Sequence, residues 1–251
     1  MQGKHALITG SGRGIGRGIA LALAAQGCAV AIHYARRRDE AAATVAAAAA
    51  YGVQTALLRA NLRHEAEARR LVEEATAQLG GLEILVANAA SGVLKPAALL
   101  ARKEWEWTME VNAASVLACV QAALPLMRRV GWGRIITVTS PGSRRVFPQY
   151  SMVGISKAAL EAMTRYLAVE LAPEGIIANC VSPGLVVTGA LDVFPMREEM
   201  IEHARRNTPA GRLLTPEDIG GVVAWLCSDQ AAMIVGQTIE IDGGYGLKML
   251  G

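Results

Sequence analysis

The chain has 251 residues, a length that one α/β sheet commonly fills, so a single domain over 1–251 is predicted. A composition 52% hydrophobic and 19% charged, rich in glycine and alanine, excludes a disordered chain. The net charge of +3, with no stripe of basic and aromatic residues, gives no footing for nucleic acid; no apolar run reads as a bilayer span or a leader, and a cytoplasmic protein without membrane attachment is expected.

Apolar runs alternate with stretches of helical period, the mark of βαβ units. Strands are predicted at about 5–9, 29–34, 54–59, 83–87, 134–139, 177–181 and 237–241. Helices are predicted near 14–26, 39–51, 65–79, 104–129, 151–171 and 216–228. The alanine-rich run from Ala41 to Ala50 belongs to the second helix, since alanine is the strongest helix former. Together these describe an α/β, doubly wound Rossmann fold: a mostly parallel seven-stranded sheet with helices on both faces. One connection, about 183–211, is long, carries Pro183, Pro195 and Pro209, and has only a short helical stretch around Arg197 to Arg206. A long segment at a strand's carboxyl end is either a substrate lid or a surface excursion, and the lid is the expectation.

Thr9-Gly10-Ser11-Gly12-Arg13-Gly14-Ile15-Gly16 follows the first strand and opens a helix. Glycines there let the backbone approach a pyrophosphate at the positive end of the helix, so Gly10 to Gly16 are candidate dinucleotide ligands. At the end of the second strand, where a carboxylate would accept from a ribose diol, stands Tyr34-Ala35-Arg36-Arg37-Arg38. Arg36, helped by Arg13, would pair with a 2′-phosphate, which favours NADPH; one or two of the three arginines fit equally a solvated edge. Four scattered cysteines and four scattered histidines form no ligand-spaced cluster, so no metal is predicted, and the thiols are expected buried and reduced.

The spacing Thr-Gly-x3-Gly-x-Gly resembles the short-chain dehydrogenase/reductase family, and further family motifs follow in order along nearly the whole chain. Asn61-Leu62 resembles the family's adenine-contacting pair, with Asn for the usual Asp. Asn88-Ala89-Ala90 is similar to the Asn-Asn-Ala-Gly segment after strand four, departing at Ala87 and Ala90. Asn112 matches the helix Asn that supports a proton-relay water, and Ser140 coincides with the catalytic serine, though it reads equally as a cap of the next turn. Pro183-Gly184-Leu185-Val186-Val187-Thr188 resembles the segment that holds the nicotinamide carboxamide, which implies cofactor contacts from Pro183, Gly184, Val186 and Thr188. Residues 237–244 resemble the last strand with its Asp-Gly-Gly ending.

The catalytic pair departs from the ordinary pattern. The family places Tyr four residues before Lys; here that position is Val153, and Tyr150 stands seven before Lys157. In an ideal helix seven residues turn through about 700°, keeping both side chains on one face with the Tyr about 10 Å along the axis instead of about 6 Å. Such a displacement suits conjugate reduction, in which hydride enters the β-carbon and charge develops on a thioester oxygen two bonds away. Tyr150 would stabilise the enolate, and Lys157 would hold the nicotinamide ribose and lower the Tyr pKa.

Tyr-x6-Lys resembles the NADPH-using type III enoyl-acyl-carrier-protein reductases of fatty-acid synthesis, as do 88–92, 105–109, 153–161, 194–195 and 207–212. The resemblance implies reduction of an enoyl thioester carried on acyl-carrier protein, with coenzyme A as the alternative carrier. Ser182-Pro183-Gly184 is nearer the ordinary form and leaves a 3-oxoacyl or other carbonyl reductase as the alternative; a non-catalytic NADP(H)-binding regulator is a third reading. Leu185, Leu191, Val193, Phe194, Met196 and Met200 could wall an acyl slot or form the lid's own core. Arg197, Arg205 and Arg206 are candidate docking charges for an acidic carrier protein. The family also implies a homotetramer built on the helices near 104–129 and 151–171, with Ala158, Ala159, Ala162 and Ala168 permitting close approach.

Overall fold

The structure is a computed structural model and describes residues 1–247. All seven predicted strands form, as β1 (His5–Ile8), β2 (Ala29–Tyr34), β3 (Thr55–Arg59), β4 (Ile84–Ala87), β5 (Gly133–Val138), β6 (Ile176–Pro183) and β7 (Thr238–Ile241). They make one sheet in the order β3-β2-β1-β4-β5-β6-β7, with every neighbouring pair parallel. Apolar runs without alternation mark these strands because parallel strands are covered on both faces.

Successive side chains point to opposite faces, and the core divides accordingly. Ala6, Ile8, Val30, Ile32, Ile84, Val86 and Ile136 pack with α1 (Gly14–Ala25) and α8 (Pro216–Leu226). Leu7, Ala31, Leu85 and Ile135 pack with the other layer: α3 (Glu65–Leu79), α5 (Ser115–Val130) and α6 (Ser151–Leu171). The second helix, α2 (Arg38–Ala49), lies beside α1, and α7 (Arg197–Asn207) stands in the long connection, where the sequence predicts a short helical stretch. Strand order reverses at β1, whose neighbours are β2 and β4, and ligands bind such sheets at the carboxyl ends beside that reversal.

Two expectations change here. The helix predicted near 104–129 is interrupted: α4 (Arg102–Met109) passes through a π-turn at Glu110–Ala114 before α5 begins. At that turn the Asn112 side chain reaches sideways to bind the backbone of Ser91. Also, the run Arg102–Val130 is long and apolar enough, by length and composition, to cross a membrane, which the sequence reading does not anticipate; here Val116, Cys119, Val120, Ala123 and Met127 are buried in the layer shared with α3. Of the four small residues placed at a subunit face, Ala168 is fully buried inside the subunit. All four cysteines are buried and free, and no group of three or more potential metal ligands occurs among the described residues.

Candidate active site

The glycine turn is held from both sides of β1. Ser11 Oγ donates to the Ile8 carbonyl at 2.7 Å and accepts from the His33 amide at 3.0 Å, so the hydroxyl shapes the turn and is buried away from any ligand. Asn88 Nδ2 donates to the Thr9 and Gly10 carbonyls at 2.9 and 3.1 Å, while the amides of Asn88 and Ala89 both donate to Thr9 Oγ1 at 3.0 Å. Asn88 and Ala89, predicted as cofactor contacts, thus stand against the turn and hold it. Gly10 adopts φ +66°, and a side chain at Gly16 would collide with the Gly10 carbonyl and the Asn88 amide. No side chain caps the first turn of α1, which leaves its orphan N–H groups directed at the cleft, as an anion requires. Ile15, in the first turn of α1, is partly buried against the core.

Sequence reasoning missed His33. Its Nδ1 accepts from the Gly10 amide at 2.9 Å and its Nε2 lies 3.1 Å from the Ala60 carbonyl, tying the turn to the end of β3. Burial pushes its pKa down to about 4, so the ring is neutral and can accept at one nitrogen while donating at the other. The available signal was a lone polar residue inside the apolar strand Ala29–Tyr34.

The adenosine edge differs from its prediction. Thr44 Oγ1 donates to the Gly12 carbonyl at 2.9 Å, which seats α2 against the glycine turn. That seating brings Glu40 between two of the predicted cations: its carboxylate lies 2.7 Å from Arg37 Nη1 and 3.6 Å from Arg13 Nε. A carboxylate is thus present after all, one helical turn beyond the strand end at which sequence reasoning looks for it, while Arg36 is exposed. Asn61 is also exposed, with its amide donating to Glu67 at 2.7 Å, and Leu62 beside it is buried.

At the carboxyl end of β5, Ser140 Oγ and the Tyr150 hydroxyl stand 3.2 Å apart. This corrects the predicted outward displacement. Tyr150 is the residue before α6, with φ −85° and ψ 9°, so the ideal-helix construction does not apply to it, and its ring folds back over Gly142, where a side chain would strike it. The capping role for Ser140 falls to its carbonyl, which accepts from Ser143 Oγ at 2.9 Å, while its hydroxyl stays with the Tyr. Burial holds the Tyr150 pKa above its ordinary value, offset in part by the Ser140 hydrogen bond.

Lys157 is 4% exposed, and its ammonium donates to the Val138 carbonyl at 2.7 Å. Burial draws its pKa down to about 8. The predicted lowering of the Tyr pKa by Lys157 is not seen: the groups that shift the phenol are its own burial and Ser140. Val153, at the position where the family carries Tyr, is buried facing Gly92. Asn112 is buried with its whole amide engaged, accepting from the Ser91 N–H at 2.8 Å and donating to the Ser91 carbonyl at 2.8 Å and to Ser156 Oγ at 2.9 Å. Its side chain therefore supports the backbone around the site, at the π-turn Glu110–Ala114.

Pro183 ends β6, and the Gly184 amide donates to the Ile241 carbonyl at 2.8 Å. Val186 is buried and bridges to Leu214, and Thr188 lies against Gly14, so the root of the long connection crosses directly over the glycine turn. Farther out the predicted acyl slot is only partly formed: Val193 and Met196 are 67% and 55% exposed, while Phe194 turns inward against Tyr150. An open hollow of about 760 Å³ runs along α7, but Arg197, Glu198, Glu199 and Glu202 line it, a poor match to an acyl chain. The three predicted docking cations are each ion-paired, Arg197 with Asp192, and Arg205 and Arg206 with the one carboxylate of Glu202.

This arrangement has known counterparts. A family model described as enoyl-(acyl carrier protein) reductase matches residues 10–246. The 3-oxoacyl-[acyl-carrier-protein] reductase of Staphylococcus aureus is 37% identical over 243 residues, covering 96% of this chain and 97% of the relative. The dehydrogenase/reductase SDR family member 4 of Sus scrofa is 34% identical, covering 99% and 89%. Among solved structures, a short-chain dehydrogenase/reductase from Serratia marcescens superposes with a TM-score of 0.89 at 35% identity, over 97% of this chain and 98% of that one. A 7α-hydroxysteroid dehydrogenase complexed with NADH and a 7-oxo bile acid does so at 0.90 and 32%, over 97% and 94%. The chain belongs to the short-chain dehydrogenase/reductase family of NAD(P)-binding oxidoreductases.

Proposed function

We propose that the chain is a cytoplasmic, NADPH-dependent reductase of acyl thioesters, acting first on the ketone of a 3-oxoacyl group. The observation that carries this reading is the 3.2 Å separation of the Ser140 and Tyr150 hydroxyls. Reduction of a ketone places developing charge and an incoming proton on one oxygen, and two hydroxyls side by side can serve that single atom. Tyr150, kept protonated by its burial, gives the proton, and Ser140 donates the second hydrogen bond. Lys157 uses one of its three N–H groups on Val138 and has two left for ribose hydroxyls. The glycine turn and the start of α1 fit a pyrophosphate; Arg13, Arg36 and Arg37 would hold the 2′-phosphate, and Asn61 and Leu62 would contact the adenine. Pro183, Gly184, Val186 and Thr188 would hold the carboxamide side. When bound, the reduced nicotinamide supplies the hydride.

Similarity to 3-oxoacyl-[acyl-carrier-protein] reductases supports an acyl chain delivered on carrier protein. A second reading, reduction of an enoyl thioester with Tyr150 stabilising the enolate, is favoured by the Tyr-x6-Lys spacing with Val153 at the usual Tyr position, and by the description of the matching family. The two are separated by turnover of NADPH with acetoacetyl and crotonyl thioesters, each on carrier protein and on coenzyme A. Faster reduction of acetoacetyl, with Ser140→Ala lowering that rate about 10²-fold or more, is the expected result. Turnover of crotonyl alone, indifferent to Ser140, would replace the first reading by the second.

A further inference from the structure

We propose that Phe147 and Phe194 form an aromatic clamp that positions the Tyr150 phenol, so that seating of the long connection and placement of the proton donor are one event. The inference rests on the reading of Tyr150 as the proton donor. The chain contains two phenylalanines, and both lie against this one ring. Phe147 meets it edge-on, with centroids 6.1 Å apart and planes at 87°; Phe194 lies at 6.0 Å and 32°.

The need for a clamp follows from where Tyr150 sits. A Tyr inside α6 would have its side-chain direction limited by the helix. Tyr150 instead precedes the helix, directly after Gln149, which takes φ +63°, the sole positive φ among the described non-glycine residues. Its backbone is anchored, with its amide donating to the Phe147 carbonyl at 3.1 Å and its carbonyl accepting from Gly154 at 2.8 Å, but these bonds leave the ring free to swing. Gly142 accommodates one part of the ring, and the two phenylalanines supply the rest of its walls. Phe194 directly follows the short turn Leu191–Val193 within the long connection, and of the neighbouring apolar residues Val193 and Met196 point to solvent while Phe194 lies against Tyr150. A segment with so little of its own burial is set by that inward contact as much as it sets it. Phe194 is thus a positioning residue acting through Tyr150.

The test is a double-mutant cycle with Phe194→Ala, Phe194→Tyr and Tyr150→Phe, following kcat, KM for the acyl thioester and the dissociation constant of NADPH by fluorescence. F194A is expected to lower kcat about tenfold, the scale set by one aromatic pair, with NADPH affinity unchanged. F194Y restores the rate, and F194A costs nothing further in the Y150F background. Where Y150F is too slow to measure, ultraviolet difference titration of F194A against F194A/Y150F reads the phenol directly, and its ionisation moves down toward that of an ordinary tyrosine as the ring loses cover. A rise in KM alone, an equal loss with and without the phenol, or an unmoved ionisation would overturn the clamp. Wild-type turnover by Y150F would remove the Tyr150 reading itself, and the clamp with it.

Discussion

At the scale of single residues, charge placement governs the cofactor edge. Glu40 holds Arg13 and Arg37, so an incoming 2′-phosphate must compete with a carboxylate for the same guanidinium groups. All three side chains are partly exposed, which limits the effect to roughly 0.5 kcal/mol per pair. Glu40→Gln is therefore expected to bind NADPH a few-fold more tightly with little change for NADH, as read by nucleotide fluorescence; unchanged or weaker NADPH binding would refute the competition. Lys157 makes a pH-dependent counterpart. With its pKa drawn down to about 8, the ammonium form dominates below that pH and is lost above it. Dinucleotide affinity is expected to fall by about tenfold as pH rises through this range, the worth of a charge-assisted hydrogen bond. Lys157→Met should bind weakly and show no such pH dependence. His33 is marked in the sequence only as a polar residue in an apolar strand and Glu40 only as one of several charges opening a helix, because each acquires its role from elements brought beside the glycine turn by folding.

At the scale of elements, two helix beginnings decide the geometry of the site. At the π-turn Glu110–Ala114, Asn112 exchanges two hydrogen bonds with Ser91 and makes a third with Ser156 on α6. Asn112→Ala strips partners from buried groups at a cost of about 1–3 kcal/mol. For a domain of this size that corresponds to a drop in Tm of about 2–4 °C per kcal/mol, roughly 2–12 °C in all by calorimetry. A variant melting with the wild type would show that the π-turn does not depend on the side chain. The start of α6 carries the complementary lesson. Periodicity correctly places the helix at Ser151–Leu171, and the spacing of Tyr150 and Lys157 is read on that helix, yet Tyr150 lies one residue outside it. Helical geometry therefore fails to predict where its hydroxyl goes, and the contact with Ser140 comes from the backbone at Gln149 and the space above Gly142.

At the scale of the whole molecule, a face of α6 remains without a partner among the described residues. Tyr166 and Val169 are 72% and 75% exposed, and Ile155 and Ala158 lie on the same side of the helix. Apolar residues so disposed suit the proposed homotetramer. The double substitution Tyr166→Glu and Val169→Glu is expected to yield a smaller species by sedimentation while keeping the thermal transition of a folded sheet; an unchanged sedimentation coefficient would place the subunit contact elsewhere.

What the sequence alone determined is the part written in local pattern. Apolar runs, helical periods and the glycine turn after β1 specify seven parallel strands, their helices and a dinucleotide cleft, since each signal is carried by neighbours in the chain. Only the tertiary structure decided how the cleft is equipped. Glu40 between two arginines, His33 beneath the turn, and the Tyr150 hydroxyl beside Ser140 are meetings of residues far apart in sequence or outside regular elements. Their distances follow from how whole layers pack, which no spacing along one element encodes.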